Sequence, residues 1–148
     1  MIVGDPYLHR VADTIDKHGY AVQFVTGDPD TGARPFAYTV GLHISPGHRY
    51  EIAVSGLDMQ TSRNLLNAIA VLASRGLTPA NGLEISHDLP WEGMVLRLRG
   101  ASRPRRLGVI HALYGQTPYV WQALWPDRNS RFPGDLLCCL PVEAQPML

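Results

Sequence analysis

The sequence predicts an α+β domain in which a mixed, largely antiparallel sheet of about five or six strands packs against a long central helix with two flanking helices. Three observations support this fold class. Residues 20–54 contain three consecutive segments of alternating apolar residues with no helical pattern between them. Residues 58–76 carry the longest helical pattern of the chain. Two shorter helical patterns lie at residues 6–18 and 104–114.

The first helix is predicted over residues 6–18. Asp5 is a favourable N-cap, and Pro6 is well tolerated at the first helical position. Gly19 can adopt the left-handed conformation that commonly ends a helix. Apolar residues recur between these boundaries at helical spacing, at Leu8, Val11, Ala12 and Ile15.

After Tyr20 the apolar period changes to two, which indicates strands. The three alternating sets are Tyr20, Val22 and Phe24, then Phe36, Tyr38 and Val40, then Tyr50, Ile52 and Val54. Because no helix separates these segments, we expect an antiparallel meander. The later chain predicts a long helix capped by Asp58, a strand over residues 94–99, a short helix from Pro104 and a last strand over 119–125. Residues 1–148 are interpreted as one domain, with an irregular C-terminal wrap from about residue 126.

Composition limits the function classes. The chain of 148 residues carries 13 basic and 13 acidic side chains, which argues against nucleic acid as the main partner. No apolar run approaches the roughly 20 residues that span a bilayer, and the first residues lack a leader pattern, so we expect no membrane partner and a cytoplasmic location. The strong preference for Arg over Lys suggests a GC-rich bacterial or phage genome. Cys138 and Cys139 are adjacent, and both are expected to be reduced.

Five segments together resemble a known family. Residues 36–42 read Phe-Ala-Tyr-Thr-Val-Gly-Leu, and residues 18–20 read His-Gly-Tyr. Glu-Ile at residues 51–52 is followed by Gly-Leu at 56–57. Trp-Pro-Asp and Phe-Pro stand at residues 125–127 and 132–133. Over about residues 15–135 the chain resembles the bacterial family known as domain of unknown function 4262. The resemblance implies this architecture and supplies no mechanism.

The first candidate site lies on the second and third strands. Thr39 and Glu51 are expected on neighbouring strands, with the Tyr38 phenol nearby. These groups could orient a small polar ligand, or Glu51 could act as a general base if its carboxyl group is partly buried. The alternative is a solvated sheet face that simply carries Thr and Glu.

Histidines raise the question of a metal site. His43 and His48 flank a short loop, and Glu51 or Asp127 could complete a divalent-metal site with them. The spacing matches no strong metal motif, so we predict neither a metal site nor a cofactor. His43 remains a candidate for assisting a carboxylate general base, either Glu51 or Asp127.

Two further groups of residues could contact a ligand. Trp125 and Asp127 follow the last strand, where a ring could stack and a carboxylate could bind, although a core aromatic and a turn cap are the alternative. Arg97 and Arg99 share one strand face and begin an arginine-rich segment that could bind a phosphate or an acidic surface. The alternative for these arginines is a solvated face.

Three function classes therefore stay open. The first is a binding domain for a small anionic or nucleotide-like ligand or for a protein partner. The second is a small cofactor-independent hydrolase or transferase. The third is a structural or regulatory interaction protein, such as a homodimer formed through an exposed sheet edge.

Overall fold

A computed structural model describes residues 5–45 and 48–148 of the chain. The described residues form one six-stranded sheet and three α-helices, so the α+β class is confirmed. The helices are α1 (Pro6–His18), α2 (Met59–Ser74) and α3 (Gly108–Tyr114). The strands are β1 (Ala21–Val25), β2 (Phe36–Val40), β3 (Tyr50–Ser55), β4 (Glu84–Ile85), β5 (Leu96–Gly100) and β6 (Tyr119–Leu124).

The sheet is mixed, with the strand order β1-β2-β3-β6-β5-β4. The first three strands form the expected antiparallel meander. β6 then lies parallel to β3, with Glu51 opposite Val120, and β5 and β4 follow in antiparallel pairs. A parallel pair requires a long connection, and here the chain between β3 and β6 contains α2, β4, β5 and α3.

Helices cover both faces of the sheet. On one face Ile52 and Val54 of β3 pack against Leu65, Leu66 and Ile69 of α2. On the opposite face, side chains from β2 and β6 pack against α1, α3 and the C-terminal residue, in a cluster that contains Val11, Tyr38, Val40, Ile110, Val120 and Leu148. α1 and α2 therefore lie on opposite sides of the same sheet. None of the helices in the described part of the chain is long and apolar enough to cross a membrane.

The helix caps follow the local chemistry of the sequence. The Asp5 carboxylate accepts hydrogen bonds from the N–H groups of Tyr7 at 2.9 Å and Leu8 at 3.3 Å, and Gly19 ends α1 in the left-handed conformation. The Asp58 carboxylate caps α2 through the Thr61 N–H at 2.7 Å. Both predicted helix starts are confirmed.

One local prediction needs correction, and one short strand was not predicted. The segment from Pro104 is a 3-10 turn, Pro104–Arg106, followed by the separate helix α3. Leu107 interrupts them with a non-helical backbone (φ −86°, ψ 71°), and its side chain is fully buried. β4 was not predicted because a strand of two residues is too short to show alternation.

Candidate functional site

Glu51 is a fully buried carboxylate that lies beside the end of β2. It accepts a hydrogen bond from Thr39 Oγ1 at 2.7 Å. It also accepts from three successive backbone N–H groups, of Gly41 at 2.9 Å, Leu42 at 3.1 Å and His43 at 3.2 Å. The Nδ1 atom of His43 makes a further close contact with Glu51 Oε2. Five donors thus surround the two carboxylate oxygens. These oxygens therefore have little remaining capacity to accept a proton or a hydrogen bond from a ligand.

The backbone turn at Gly41 produces this arrangement. Gly41 has φ 93°, a left-handed conformation that costs little only for glycine. A Cβ at this position would lie 2.9 Å from the Ile15 side chain of α1. The turn ends β2 and starts the 3-10 turn Leu42–Ile44, whose first N–H groups face the carboxylate.

Thr39 joins the site to the sheet. The regular β2–β3 register ends with Tyr38 opposite Ala53. Beyond it, Thr39 Oγ1 accepts a hydrogen bond from the Ile52 N–H at 2.9 Å and donates to Glu51. The expected Thr39–Glu51 pair is therefore in contact. Both residues are fully buried rather than on a solvated face.

The His43 imidazole is held at one nitrogen only. Nδ1 contacts Glu51, whereas Nε2 is buried and has no hydrogen-bond partner among the described residues. The side chain is 8% exposed, and its ring meets the Tyr114 ring edge-on at a centroid distance of 4.7 Å. Burial, and then the negative charges of Glu51 and Asp16, raise the pKa of Tyr114. Nε2 is therefore the one polar side-chain atom of the Thr39, His43 and Glu51 group that has no partner among the described residues.

A family model described as "Domain of unknown function (DUF4262)" matches residues 14–138. The chain belongs to this family. No curated protein and no solved structure matched the chain in the corresponding searches. The DUF4262 match includes Thr39, His43 and Glu51, whereas the first two turns of α1 precede it.

Tyr38 lies on the sheet face of this DUF4262 domain that α3 covers. Its phenol oxygen accepts a hydrogen bond from the Val109 N–H at 3.1 Å, at the start of α3. The side chain is 1% exposed, and burial raises the pKa of Tyr38 to about 12. The phenol thus stays protonated and holds α3 against β2. This contact does not bring it to the Glu51 carboxylate.

Trp125 and Asp127 bind the C-terminal wrap. Trp125 Nε1 donates to the Ser55 carbonyl at 2.8 Å, and its backbone N–H and carbonyl bind the Gln145 amide at 2.8 Å each. The Asp127 carboxylate accepts from the N–H groups of Cys139, Asn129 and Arg131 at 2.8, 2.8 and 3.0 Å. Hydrogen bonds from the Cys139 and Arg131 backbone hold the pKa of Asp127 well below its usual range. This geometry favours a structural role for Asp127.

The two arginines of β5 also have partners within the chain. Arg97 contacts Glu84 at 2.9 Å and Asp135 at 3.0 Å, and its guanidinium group lies 4.3 Å from the centre of the Phe132 ring. Arg99 donates to Gln122 Oε1 at 2.8 Å and to the Leu148 carbonyl at 3.2 Å. The predicted residues thus fall into several separate contacts, and the described contacts bring together only Thr39, Glu51 and His43.

A metal site would need a third ligand beside His43 and Glu51, and the described part of the chain supplies none. Within residues 5–45 and 48–148, no three His, Cys, Asp or Glu side chains are grouped so that they could hold a metal ion. His43 and Glu51 form a pair. His48, the other proposed ligand, instead packs its ring against Tyr50 at a centroid distance of 6.2 Å.

A cleft at the β1 edge of the sheet was not predicted from the sequence. Its volume is about 550 Å³, and residues of α1, β1 and α2 line it. We call it the edge cleft. Its lining residues are Tyr7, Arg10, Val11, Thr14, His18, Tyr20, Ala21, Val22, Gln23, Arg63 and Asn67. The described lining contains two arginines and a histidine but no acidic residue.

The sequence contained a partial signal for the edge cleft. Tyr7, Arg10 and Thr14 are spaced by three and four residues, so they lie on one face of α1. Arg63 and Asn67 are four residues apart on α2. Each of the two sets alone resembles an ordinary solvated helix face. The fold brings the two faces to one cleft.

Proposed function

We propose that this DUF4262 domain binds an anionic ligand in the edge cleft. One observation carries the proposal: Arg10 and Arg63, from two different helices, line one concavity whose described lining contains no carboxylate. Guanidinium groups bind carboxylates and phosphates through paired, charge-assisted hydrogen bonds. The ligand is therefore a carboxylate- or phosphate-bearing group, either on a nucleotide-like small molecule or on a protein partner.

The size and polar groups of the edge cleft support the proposal. Its volume of about 550 Å³ falls inside the roughly 300–1,000 Å³ of typical ligand sites. Two tyrosines are already oriented, because Tyr7 donates to the Gln23 side chain and Tyr20 donates to Asn67 Oδ1 at 2.7 Å. Their rings and the two amides supply stacking and hydrogen-bonding groups beside the arginines. No metal or organic cofactor is needed for such binding.

Isothermal titration with two probes, adenosine monophosphate and a capped hexaglutamate peptide, tests the proposal. We expect at least one probe to bind, and the double variant Arg10→Glu/Arg63→Glu to weaken that binding by at least roughly tenfold. Arg105→Glu is the matched control, because Arg105 is exposed in the 3-10 turn Pro104–Arg106 and does not line the edge cleft. Equal loss in both variants would show nonspecific attraction and contradict the proposal.

The His43–Glu51 pair favours a second function, proton transfer in a small hydrolase or transferase. The specific observation is the buried His43 Nε2 without a partner among the described residues, on an imidazole that Glu51 orients. His43 would be the general base and Glu51 its positioning residue. The imidazole rather than the Glu51 carboxylate would act as the base, because five donors already bind the Glu51 oxygens.

The hydrolysis rate of p-nitrophenyl acetate tests the second function. If His43 is the base, His43→Gln should lower the rate by roughly 100-fold, a typical contribution of general base catalysis. His9→Gln is the control, because His9 is exposed on α1. Equal rates for the two variants would remove His43 from any such chemistry.

A further inference from the structure

The two edges of the sheet differ in how they are protected. An edge strand presents an unpaired row of N–H and carbonyl groups, and proteins usually protect it by shortness, charge or proline. β4 is two residues long, and its Glu84 is paired with Arg97. β1 is five residues long and reads Ala-Val-Gln-Phe-Val, without a charge or a proline. Its one strand partner within the described residues is β2. The outer side of β1 therefore remains available for pairing.

The edge cleft lies along this outer side of β1. α1 and α2 cover opposite faces of the sheet, yet both contribute residues to the same cleft together with Ala21, Val22 and Gln23 of β1. A concavity lined by both helices and the edge strand must extend past the sheet edge. The two helices are thus its walls, and residues 21–23 of β1 lie between them.

The length of the α1 wall fits a short extended segment. From Tyr7 to His18, α1 extends along the cleft for about 16 Å at 1.5 Å per residue. A strand of about five residues has the same length at roughly 3.3 Å per residue. Three of the five β1 residues, Ala21 to Gln23, line the cleft, so such a segment would pair with this part of the edge strand.

The charges determine which segment fits. Arg10 lies on the α1 wall and Arg63 on the α2 wall. Side chains of an added strand would point alternately to the two walls, so neighbouring acidic residues would face Arg10 and Arg63 in turn. A second copy of this chain fits poorly. Symmetric pairing of two β1 strands would bring the arginines of both copies together. It would also bring the α1 and α2 walls of the two copies against each other.

We propose that the edge cleft binds an extended acidic peptide segment of a partner protein, which pairs with β1 as a seventh strand. The inference rests on the proposed anion-binding function and names its ligand class. Main-chain hydrogen bonds to β1 supply affinity, and the two arginines select acidic side chains at neighbouring positions.

The probe is a phage-displayed library of random nonapeptides, selected on the intact chain and counter-selected on Arg10→Glu/Arg63→Glu. We expect the enriched peptides to carry neighbouring Asp or Glu residues among β-branched residues. The tightest peptide is then synthesised with capped ends, and its affinity is measured by fluorescence anisotropy. Failure to enrich any peptide over the counter-selection would overturn the inference.

N-methylation of alternate peptide amides separates strand pairing from simple charge attraction, because it removes backbone donors and leaves the side-chain charges unchanged. Methylation in one register should weaken binding by more than roughly tenfold, and methylation in the other register should have little effect. If neither register matters but Arg63→Glu still weakens binding, the strand inference fails while the anion-binding function stands. If Arg63→Glu also has no effect, both fail.

The oligomeric state provides an independent check. Sedimentation of the intact chain should show a monomer in the absence of peptide. A dimer that Gln23→Lys dissociates would assign the β1 edge to a second copy of the chain and overturn the proposal of an acidic partner segment.

Discussion

The arginines of β5 and those of the edge cleft differ in their partners. Arg97 binds Glu84 and Asp135, and Arg99 binds Gln122 and the Leu148 carbonyl. Arg10 and Arg63 lie within 4 Å of no carboxylate that the structure describes, and Arg10 only stacks near the Tyr7 ring. The two β5 arginines thus hold parts of the fold together, whereas the two cleft arginines remain available to a ligand. Density of charge along the sequence does not identify a binding surface.

The same contrast holds between Glu51 and His43. All five contacts of the Glu51 carboxylate come from the chain itself, as for the β5 arginines. His43 Nε2 resembles the cleft arginines, because the described residues give it no partner. Four mutational tests follow, from the largest expected effect to the smallest.

Removing Glu51 should have the largest effect on stability. Glu51→Ala leaves three backbone N–H groups and the His43 ring without their acceptor in a fully buried position. We expect the free energy of unfolding to fall by about 3–5 kcal/mol. Urea denaturation measures it, with Glu84→Ala as the control, for which we expect a loss of about 1 kcal/mol or less because the pair is exposed. Equal losses would show that the buried hydrogen bonds of Glu51 do not stabilise the fold more than an exposed ion pair does.

Replacing Asp127 should lower the free energy of unfolding by a smaller amount, and this loss should depend on pH. Because backbone hydrogen bonds lower the pKa of Asp127 in the folded chain, its contribution is fully present above the unfolded-state pKa of about 3.9. That contribution is lost as the pH falls below this value, toward the lower folded-state pKa. Asp127→Asn should therefore destabilise the chain more at pH 7 than at pH 3, as measured by urea denaturation at both values. A pH-independent difference would argue against this role.

The two groups of arginines should differ in their effects on stability. Arg97→Ala removes two ion pairs and the contact with the Phe132 ring, so we expect a loss of about 1–2 kcal/mol. Arg63→Ala removes an exposed side chain and should stay within about 0.5 kcal/mol of wild type. Thermal and urea unfolding of the two variants provide the comparison. A larger loss for Arg63→Ala would indicate a structural role for the edge cleft.

Replacing Arg99 should have a smaller effect than replacing Arg97, through the C-terminal residues. Its guanidinium group and the Leu148 N–H both donate to Gln122 Oε1, while Gln122 Nε2 binds the Pro146 carbonyl at 2.8 Å. Arg99→Ala leaves Gln122 with its other partners, so we expect a loss of about 1 kcal/mol. Faster amide exchange at Leu148 would be the local readout, and unchanged exchange would contradict the assigned contact.

Local chemistry made much of the fold predictable. Asp5, Pro6 and Gly19 give the bounds of α1, and Asp58 gives the start of α2, because caps act over three or four residues. The period-two pattern of apolar residues located β1, β2 and β3, because alternation can also be recognised within a few residues of one strand. The break at Leu107 could not be predicted, since burial of this side chain depends on the sheet face beneath it.

The candidate site was predictable only in part. Strand neighbours can be inferred from a meander, which is why Thr39 and Glu51 were expected together. Burial depends on what covers the sheet face, so the solvated-face alternative could not be excluded from alternation alone. Arg10 and Arg63 belong to helices on opposite faces of the sheet, and only the position of β1 at the edge brings them to one cleft.

The most direct test of the central claim observes both groups of arginines in one experiment. The side-chain Nε–Hε signals of the intact chain are followed by NMR during titration with inorganic pyrophosphate. If the edge cleft is the anion site, the signals of Arg10 and Arg63 should shift with a common saturation curve, and those of Arg97 and Arg99 should stay in place. Shifts confined to Arg97 and Arg99, or equal small drifts of all four signals, would contradict the claim.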